Sequence, residues 1–174
     1  MKLLETATGK SREAVIETMK SKDFQVIKNS ERGFNKFEWS EYKGKEVFKI
    51  RLVDDEAILG LMYLIDHEDE TTNAIEIALL QVSDENVGRN KKFENIGGCL
   101  IAYAARESFK RGHDGFIFLI PKTDLIEHYS SKYGFQHMPL RTLSRPEGLM
   151  ILYDGGSRRL IQKYLDEASH RGVY

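Results

Sequence analysis

The sequence contains one cysteine, Cys99, and only three prolines in its 174 residues. A single cysteine excludes an intramolecular disulfide and a metal site built from several thiolates. No apolar run reaches the roughly 20 residues that a helix needs to cross a bilayer, and the first residues lack the apolar core of a signal peptide. We therefore expect a cytoplasmic protein without a membrane segment.

Neither sign of charge is in excess, because the formal net charge is −1 and the lysines and arginines are scattered along the chain. This balance gives no electrostatic basis for binding nucleic acid or an anionic membrane. No His, Asp and Glu residues have metal-ligand spacing, and neither a P-loop nor a Gly-x-Ser-x-Gly motif occurs. The ordinary composition, 41% hydrophobic and 30% charged, predicts one globular domain over residues 1–174 and no metal.

The strongest local pattern is a strand, a loop and a helix. Residues 74–82 are apolar on both faces, which is typical of a central strand, and Glu76 is their one charged residue. A polar loop, residues 83–94, separates this strand from a helix that we predict to start at Asn95-Ile96-Gly97-Gly98. The buried face of that helix is expected to contain Ile96, Leu100, Ile101, Ala104, Ala105 and Phe109.

The start of this helix has the features of an anion site. The first N–H groups of a helix have no acceptor inside it, and the helix dipole adds partial positive charge there. Glycines such as Gly97 and Gly98 let a phosphate approach the backbone, and Lys91 and Lys92 add cationic charge upstream. The alternative is that the glycines serve only packing or a turn.

Other patterns predict the remaining elements. Before residue 74 we predict a helix at 11–20 capped by Ser11, a short strand at 24–27, a strand or loop at 34–42, and strands at 46–53 and 57–65. The consecutive hairpins indicate an antiparallel meander. It continues into a parallel unit, because residues 74–82 and the next predicted strand, 116–120, are separated by a helix.

The C-terminal part is predicted to alternate strands and helices. After residue 120 we predict a helix capped by Asp124 and ended by Gly134, strands at 136–139 and 149–153, and a last helix capped by Ser157. The inward residues of the last helix would be Leu160, Ile161, Tyr164, Leu165 and Ala168. This helix either packs on the sheet or contacts a second copy in a homodimer.

Taken in order, these elements resemble the GNAT superfamily of acyl-CoA-dependent N-acetyltransferases. The family signature at the helix start is Gln or Arg, two residues, Gly, one residue, then Gly or Ala; here that register runs from Lys92 to Gly97. The run Tyr129 to Phe135, with Gly134 before Phe135, matches the family's second conserved helix end. The resemblance covers about residues 46–153. It implies an α/β acyl-CoA N-acyltransferase fold, with a twisted mixed sheet flanked by helices and residues 155–174 as a helical extension.

The resemblance also implies a site. Acetyl-CoA would lie along Leu80, Gln81 and Val82, with its pyrophosphate near Lys92 on the amides of Phe93, Glu94, Asn95, Ile96, Gly97 and Gly98. Glu76 is the candidate base, and its alternative is a strand-end glutamate facing solvent or a basic partner. Tyr129 is the candidate acid, with Ser130 as the other register and a core aromatic as the alternative role.

The implied reaction is acetyl transfer from acetyl-CoA to a primary amine by direct attack in a ternary complex. The acceptor is a small-molecule or protein amine. The alternative is a non-catalytic acyl-CoA-binding or interaction module on the same fold, which would not depend on Glu76 or Tyr129.

Overall fold

The computed structural model describes residues 1–29 and 33–165. It contains nine strands over these residues: β1 Lys2–Glu5, β2 Ser11–Thr18, β3 Val47–Leu52, β4 Gly60–His67, β5 Ala74–Val82, β6 Phe93–Glu94, β7 Ile117–Leu119, β8 Gln136–Met138 and β9 Leu149–Leu152. The α-helices are α1 Ser21–Asn29, α2 Ile96–Lys110, α3 Ile126–Tyr133 and α4 Asp154–Leu165. Short 3-10 helices occur at Trp39–Tyr42, Asp84–Asn86 and Thr123–Leu125.

The strands are hydrogen-bonded in the order β6-β1-β2-β3-β4-β5-β7-β9-β8. The pairs from β6 to β4 are antiparallel, as are β7–β9 and β9–β8. β5 and β7 are parallel, with Ile75 beside Ile117 and Glu76 beside Phe118. The predicted mixed α/β sheet is therefore confirmed.

The chain divides into two compact units. The first unit consists of residues 1–64 and 79–100, and the second of residues 65–78 and those from Ile101 onward. Strands β4 and β5 each contribute residues to both. The prediction of a single domain with a C-terminal helical extension stays a prediction.

One apolar cluster of the first unit packs α1 beside strands β3 and β4. Its buried members are Met19, Phe24, Ile27, Trp39, Val47 and Leu61. Gly60 opens β4 where there is no space for a side chain: a Cβ atom there would stand 2.9 Å from Ile96 Cγ2 and 3.0 Å from Leu100 Cδ1. The start of α2 therefore packs directly on the backbone of β4.

In the second unit the remainder of α2 and α4 supply buried apolar residues. Leu160, Ile161, Tyr164 and Leu165 are buried as predicted, whereas Ala168 lies outside the described residues. Ser157 does not cap α4, which begins at Asp154. Instead the Ser157 hydroxyl, buried, donates to the carbonyl oxygen of Gly115 at 2.5 Å.

Two predictions in the N-terminal part are wrong. Residues 11–18 form strand β2 rather than a helix, because β2 lies between β1 and β3 and alternates in burial at Ala14 and Ile16. Residues 21–29 form helix α1 rather than a strand at 24–27. The Asp23 side chain accepts the Lys20 backbone N–H at 2.8 Å, which stabilises this helix start.

One further expectation needs correction. Asp124 lies in the 3-10 helix before α3, and neither element has a side-chain hydrogen bond at its N-terminal cap. Of the two alternatives predicted for residues 34–42, a strand or a loop, the structure has the loop, which ends in the 3-10 helix at Trp39. By contrast, the bounds of β5 and the start of α2 are confirmed. Within the described part of the chain, no helix combines the length and apolar character needed to span a bilayer.

Candidate cosubstrate and catalytic site

The start of α2 presents backbone donors in the first unit. Asn95 adopts a left-handed conformation, φ 77°, which asparagine tolerates better than most residues. The Cys99 amide donates to the Asn95 carbonyl at 2.9 Å, so Asn95 is the residue that precedes the first turn. Helix geometry leaves the amides of Ile96, Gly97 and Gly98 without an acceptor inside α2. These three N–H groups are the ones available to an anion.

The loop between β5 and α2 is held by Asn86, a residue that sequence reasoning missed. Asn86 is buried; its Nδ2 donates to Ser83 Oγ at 2.8 Å, and its Oδ1 accepts the Phe93 amide at 2.9 Å. Ser83 follows β5 directly and Phe93 lies just before α2. One side chain therefore ties the end of the strand to the start of the helix. Asparagine is common in polar loops, so the sequence alone does not indicate that Asn86 connects the strand to the helix.

The hydrogen bonds of β6 narrow the predicted phosphate segment. Phe93 and Glu94 pair with β1 in register with Glu5 and Leu4, and the Phe93 amide already donates to Asn86. The Phe93 amide is therefore already engaged, and the rest of the predicted phosphate segment stays a prediction.

The cation predicted beside the phosphates already has a partner. Lys92 Nζ lies 3.1 Å from Glu85 Oε2, and the lysine side chain is 62% exposed. Exposed ion pairs of this kind contribute little, about 0–1 kcal/mol. A bound phosphate would compete with Glu85 for Lys92 at small cost.

Residues Leu80, Gln81 and Val82 end strand β5, and their side chains differ in role. Gln81 is buried; its Oε1 accepts a hydrogen bond from Trp39 Nε1 at 2.8 Å and its Nε2 donates to the Gly33 carbonyl at 3.2 Å. The Gln81 side chain therefore holds the segment around residues 33–39. The Gln81 side chain is therefore already engaged, whereas the Leu80 and Val82 side chains are half-buried.

Glu76 lies in the second unit with a partner that the sequence did not reveal. His67 Nε2 is 2.9 Å from Glu76 Oε1, and the two side chains are 30% and 15% exposed. The His67 ring also packs 5.4 Å, centroid to centroid, from the ring of Phe118. His67 falls between the predicted strands at 57–65 and 74–82. The sequence did offer one clue to this contact. A short turn joins β4 to β5, so residues at the end of β4 and at the start of β5 should be neighbours.

A second histidine, His113, is buried and supports this turn. His113 Nε2 lies 2.7 Å from Asp66 Oδ1, and its Nδ1 lies 2.7 Å from Asn73 Oδ1. Arg111 Nη1 also donates to Asp66, at 3.3 Å. Asp66 precedes His67 and Asn73 precedes β5, so this network fixes both ends of the turn that carries the His67–Glu76 pair.

Tyr129 lies on α3, also in the second unit, where burial raises the pKa of its phenol. Its ring contacts the rings of Phe135 and Tyr133 at 5.8 and 6.2 Å between centroids. The phenol is protonated at neutral pH and has the form a proton donor needs. The Ser130 carbonyl, with that of Tyr129, accepts the N–H of Gly134, which ends α3 at φ 80°.

The remaining candidate chemistries are not supported. Burial raises the pKa of the Cys99 thiol to about 12, so it stays protonated and does not act as a nucleophile. Among residues 1–29 and 33–165, no group of three or more His, Cys, Asp or Glu side chains is placed to hold a metal ion.

Comparison with known proteins gives matches in structure. No family model and no curated protein matches this sequence. An acetyltransferase of the GNAT family from Listeria monocytogenes is similar with a TM-score of 0.57 and 14% identity, covering 87% of this chain and 97% of its own. The ribosomal-protein-S18-alanine N-acetyltransferase from Escherichia coli matches at 0.53 and 16%, covering 79% and 90%.

A third solved structure was determined with ligands. N-acetylglutamate synthase from Neisseria gonorrhoeae, complexed with coenzyme A and L-arginine, matches with a TM-score of 0.59 and 17% identity. The match covers 84% of this chain and 34% of the synthase chain. With the strand order and the helix start described above, these likenesses show that the chain has the fold of the GNAT N-acetyltransferases.

Proposed function

We propose that this protein transfers an acetyl group from acetyl-CoA to a primary amine by direct attack in a ternary complex. The observation that carries the proposal is the start of α2, where Asn95 turns the chain and leaves the amides of Ile96, Gly97 and Gly98 for an anion. In this chain, which has the GNAT fold, the start of α2 comes after strand β5 and the loop 83–94.

The residues at the helix start fit a pyrophosphate. Gly97 and Gly98 have no side chain to stand between a phosphate and the backbone, and Gly97 is half-buried. The dipole of the 15-residue helix α2 adds partial positive charge at these amides. Lys92 is the cation that would exchange its contact with Glu85 for a phosphate oxygen.

The end of β5 is proposed to align the pantetheine. Leu80, Gln81 and Val82 would contribute backbone groups, because the Gln81 side chain is already bonded to Trp39 and Gly33. Backbone donors of this kind also polarise an acetyl carbonyl.

Two side chains are proposed to move protons. Acetyl-CoA supplies an activated acyl group as a thioester. Glu76 takes the proton that the attacking amine loses, and His67 holds the Glu76 carboxylate through the 2.9 Å contact. Tyr129 keeps its proton at neutral pH and donates it near the leaving sulfur.

The acceptor class stays open in this proposal. The Escherichia coli neighbour is named for an alanine of a ribosomal protein and the Neisseria neighbour for N-acetylglutamate, so protein and small-molecule amines are both represented on this fold. A cytoplasmic location and a homodimer contact through the last helix belong to the same proposal.

Calorimetric titration with acetyl-CoA tests the proposal on the wild type and on Gly97→Glu. A glutamate in the first turn is favourable for the helix dipole, so the variant is expected to fold while its carboxylate repels the phosphates. Gln162→Glu, which adds the same charge to the exposed face of α4, is the control.

Saturable binding by the wild type and Gln162→Glu, lost in Gly97→Glu, supports the cosubstrate site. A folded wild type that does not bind acetyl-CoA would contradict it. If binding is intact but Glu76→Gln and Tyr129→Phe leave amine-dependent thiol release unchanged, the catalytic assignments are wrong. Binding without thiol release for any amine favours a non-catalytic acyl-CoA-binding module.

A further inference from the structure

A cavity of about 370 Å³ lies in the first unit, between α1 and residues 33–40. Its walls include four aromatic side chains, Phe24, Phe34, Phe37 and Trp39. We call it the aromatic cavity. Its volume is in the range of small-molecule sites, which begins near about 300 Å³.

The back of the aromatic cavity is rigid. Trp39 is 2% exposed, belongs to the core of the unit, and is fixed by its hydrogen bond to Gln81. Gln81 in turn holds the carbonyl of Gly33, a residue with φ 94°. A Cβ atom at Gly33 would stand 3.0 Å from the Asp84 amide nitrogen, so the segment packs closely on the chain after β5. The Trp39 and Gly33 sides of the cavity are therefore held in place by buried contacts.

The polar part of the lining carries both signs of charge. Lys28 lies in the last turn of α1, and Lys36 stands with Nζ 5.8 Å from the centre of the Phe37 ring. Glu38 also lines the cavity, and its Oε1 accepts a hydrogen bond from Ser40 Oγ at 2.8 Å. Two cations and one anion favour a ligand that has both an anionic and a cationic group, and disfavour a polycation.

We propose that the aromatic cavity binds an amine of the amino-acid class, with an apolar side group. The side group lies against the rings, the carboxylate faces Lys28 and Lys36, and the ammonium group faces Glu38. Gln81 joins Trp39 to the strand end proposed for acetyl-CoA, so this ligand is the acetyl acceptor; that last assignment rests on the proposed function.

The transfer to such a ligand balances without any further reactant. The amine nitrogen forms a bond to the acetyl carbon, the thioester C–S bond breaks, and coenzyme A leaves as the thiol. Of the two protons that the ammonium group loses, one goes to the sulfur and one to solvent.

Trp39 makes the cavity directly observable, because it is the only tryptophan in the chain. We would titrate the protein, without acetyl-CoA, with L-phenylalanine, phenethylamine and spermidine, and follow the tryptophan fluorescence. L-Phenylalanine should give a saturable change and bind about fivefold tighter than phenethylamine, which lacks the carboxylate. Spermidine should bind more weakly than either.

Charge variants identify the contacts. Lys28→Met with Lys36→Met should abolish the preference for L-phenylalanine over phenethylamine, and Glu38→Gln should weaken both ligands. Lys22→Met removes an exposed lysine of α1 that does not line the cavity and should change neither.

Equal binding of L-phenylalanine and phenethylamine by the wild type, or tighter binding of spermidine, would overturn the proposal. So would the absence of any fluorescence change in a protein that binds acetyl-CoA, which leaves the acetyltransferase proposal standing. If L-phenylalanine binds as expected and acetyl-CoA does not, the ligand class is supported and the acetyltransferase proposal fails.

Discussion

Trp39 donates a hydrogen bond from its indole Nε1 to the Oε1 atom of Gln81, 2.8 Å away, and both side chains are buried. The two residues lie 42 positions apart in the sequence. Because Gln81 is near the end of β5, this single contact joins the wall of the aromatic cavity to the strand proposed for acetyl-CoA.

Replacing one partner of this bond should destabilise the first unit. Trp39→Phe leaves Gln81 Oε1 buried without its donor, which costs about 1–3 kcal/mol before any loss of packing. Gln81→Met leaves the buried indole N–H of Trp39 without its acceptor. Urea unfolding followed by circular dichroism, which does not need the tryptophan, should show that the double variant loses less than the sum of the single losses. Strict additivity would mean that the bond contributes nothing.

Asn86→Ala is predicted to weaken acetyl-CoA binding, although the Asn86 side chain is not proposed to contact the ligand. The substitution leaves the Phe93 amide and the Ser83 hydroxyl without their partner, at a cost of about 1–3 kcal/mol. The start of α2 then loses its tie to the end of β5. Asn90→Ala, in the exposed part of the same loop, is the matched control. Reduced thermal stability with unchanged calorimetric affinity would show that Asn86 serves the fold alone.

Glu76→Gln should lower kcat by a factor of about 10² to 10⁴, the usual range for removal of a general base, with little effect on acetyl-CoA affinity. His67→Phe, which removes the contact to the carboxylate, should lower kcat by less. Glu68→Gln, at an exposed neighbour in the turn, should leave the rate unchanged. Steady-state rates of thiol release measure all three. A wild-type rate in Glu76→Gln would exclude it as the base.

The pair Asp23–Lys49 should make stability depend on acid pH. Burial alone would raise the pKa of Asp23. Hydrogen bonds from Lys49 Nζ and from the Lys20 backbone lower the pKa by more than burial raises it, so the pKa lies below its ordinary value. Because its pKa is lowered on folding, ionised Asp23 stabilises the fold at every pH above the unfolded-state pKa of about 3.9. This stabilisation is lost as the pH falls through the folded-state pKa.

Asp23→Asn should therefore cost about 1–3 kcal/mol at neutral pH, because buried Lys49 loses the charge of its 2.7 Å partner and keeps the contact with Glu17, whose Oε2 lies 3.8 Å from Nζ. Its unfolding free energy should also fall less steeply than that of the wild type below about pH 4. Urea titrations across this range provide the comparison, with Glu41→Gln as an exposed control. Parallel pH curves for the wild type and Asp23→Asn would refute the assignment.

The parts of the fold that could be predicted are those with one strong local pattern. β5 is apolar along its whole length, and α2 begins after an asparagine and carries a continuous apolar face, so both were predicted correctly. Residues 11–18 satisfy the spacing of a helix and of a strand equally well. Their state is decided by pairing with β3, which includes the contact of Glu17 with Arg51, and no local pattern reports this.

The same reasoning explains what was missed around the candidate site. Sequence patterns single out residues such as Glu76 and Gly97, because their residue type and their neighbours in the sequence already suggest a chemical role. The contacts that position them join residues across loops and strands: Asn86 to Phe93, His67 to Glu76 and Trp39 to Gln81. Each partner is an ordinary polar or aromatic residue, so only the folded chain shows its role.

Gly60 has a consequence for how finely the amides of α2 are positioned. Since a Cβ atom at residue 60 would press on side-chain atoms of Ile96 and Leu100, glycine at this position lets those two side chains of α2 pack against β4. The amides proposed to bind phosphate are then positioned by close packing in the protein interior rather than by a surface loop. We therefore expect Gly60, a buried residue, to influence the proposed acetyl-CoA site through packing alone.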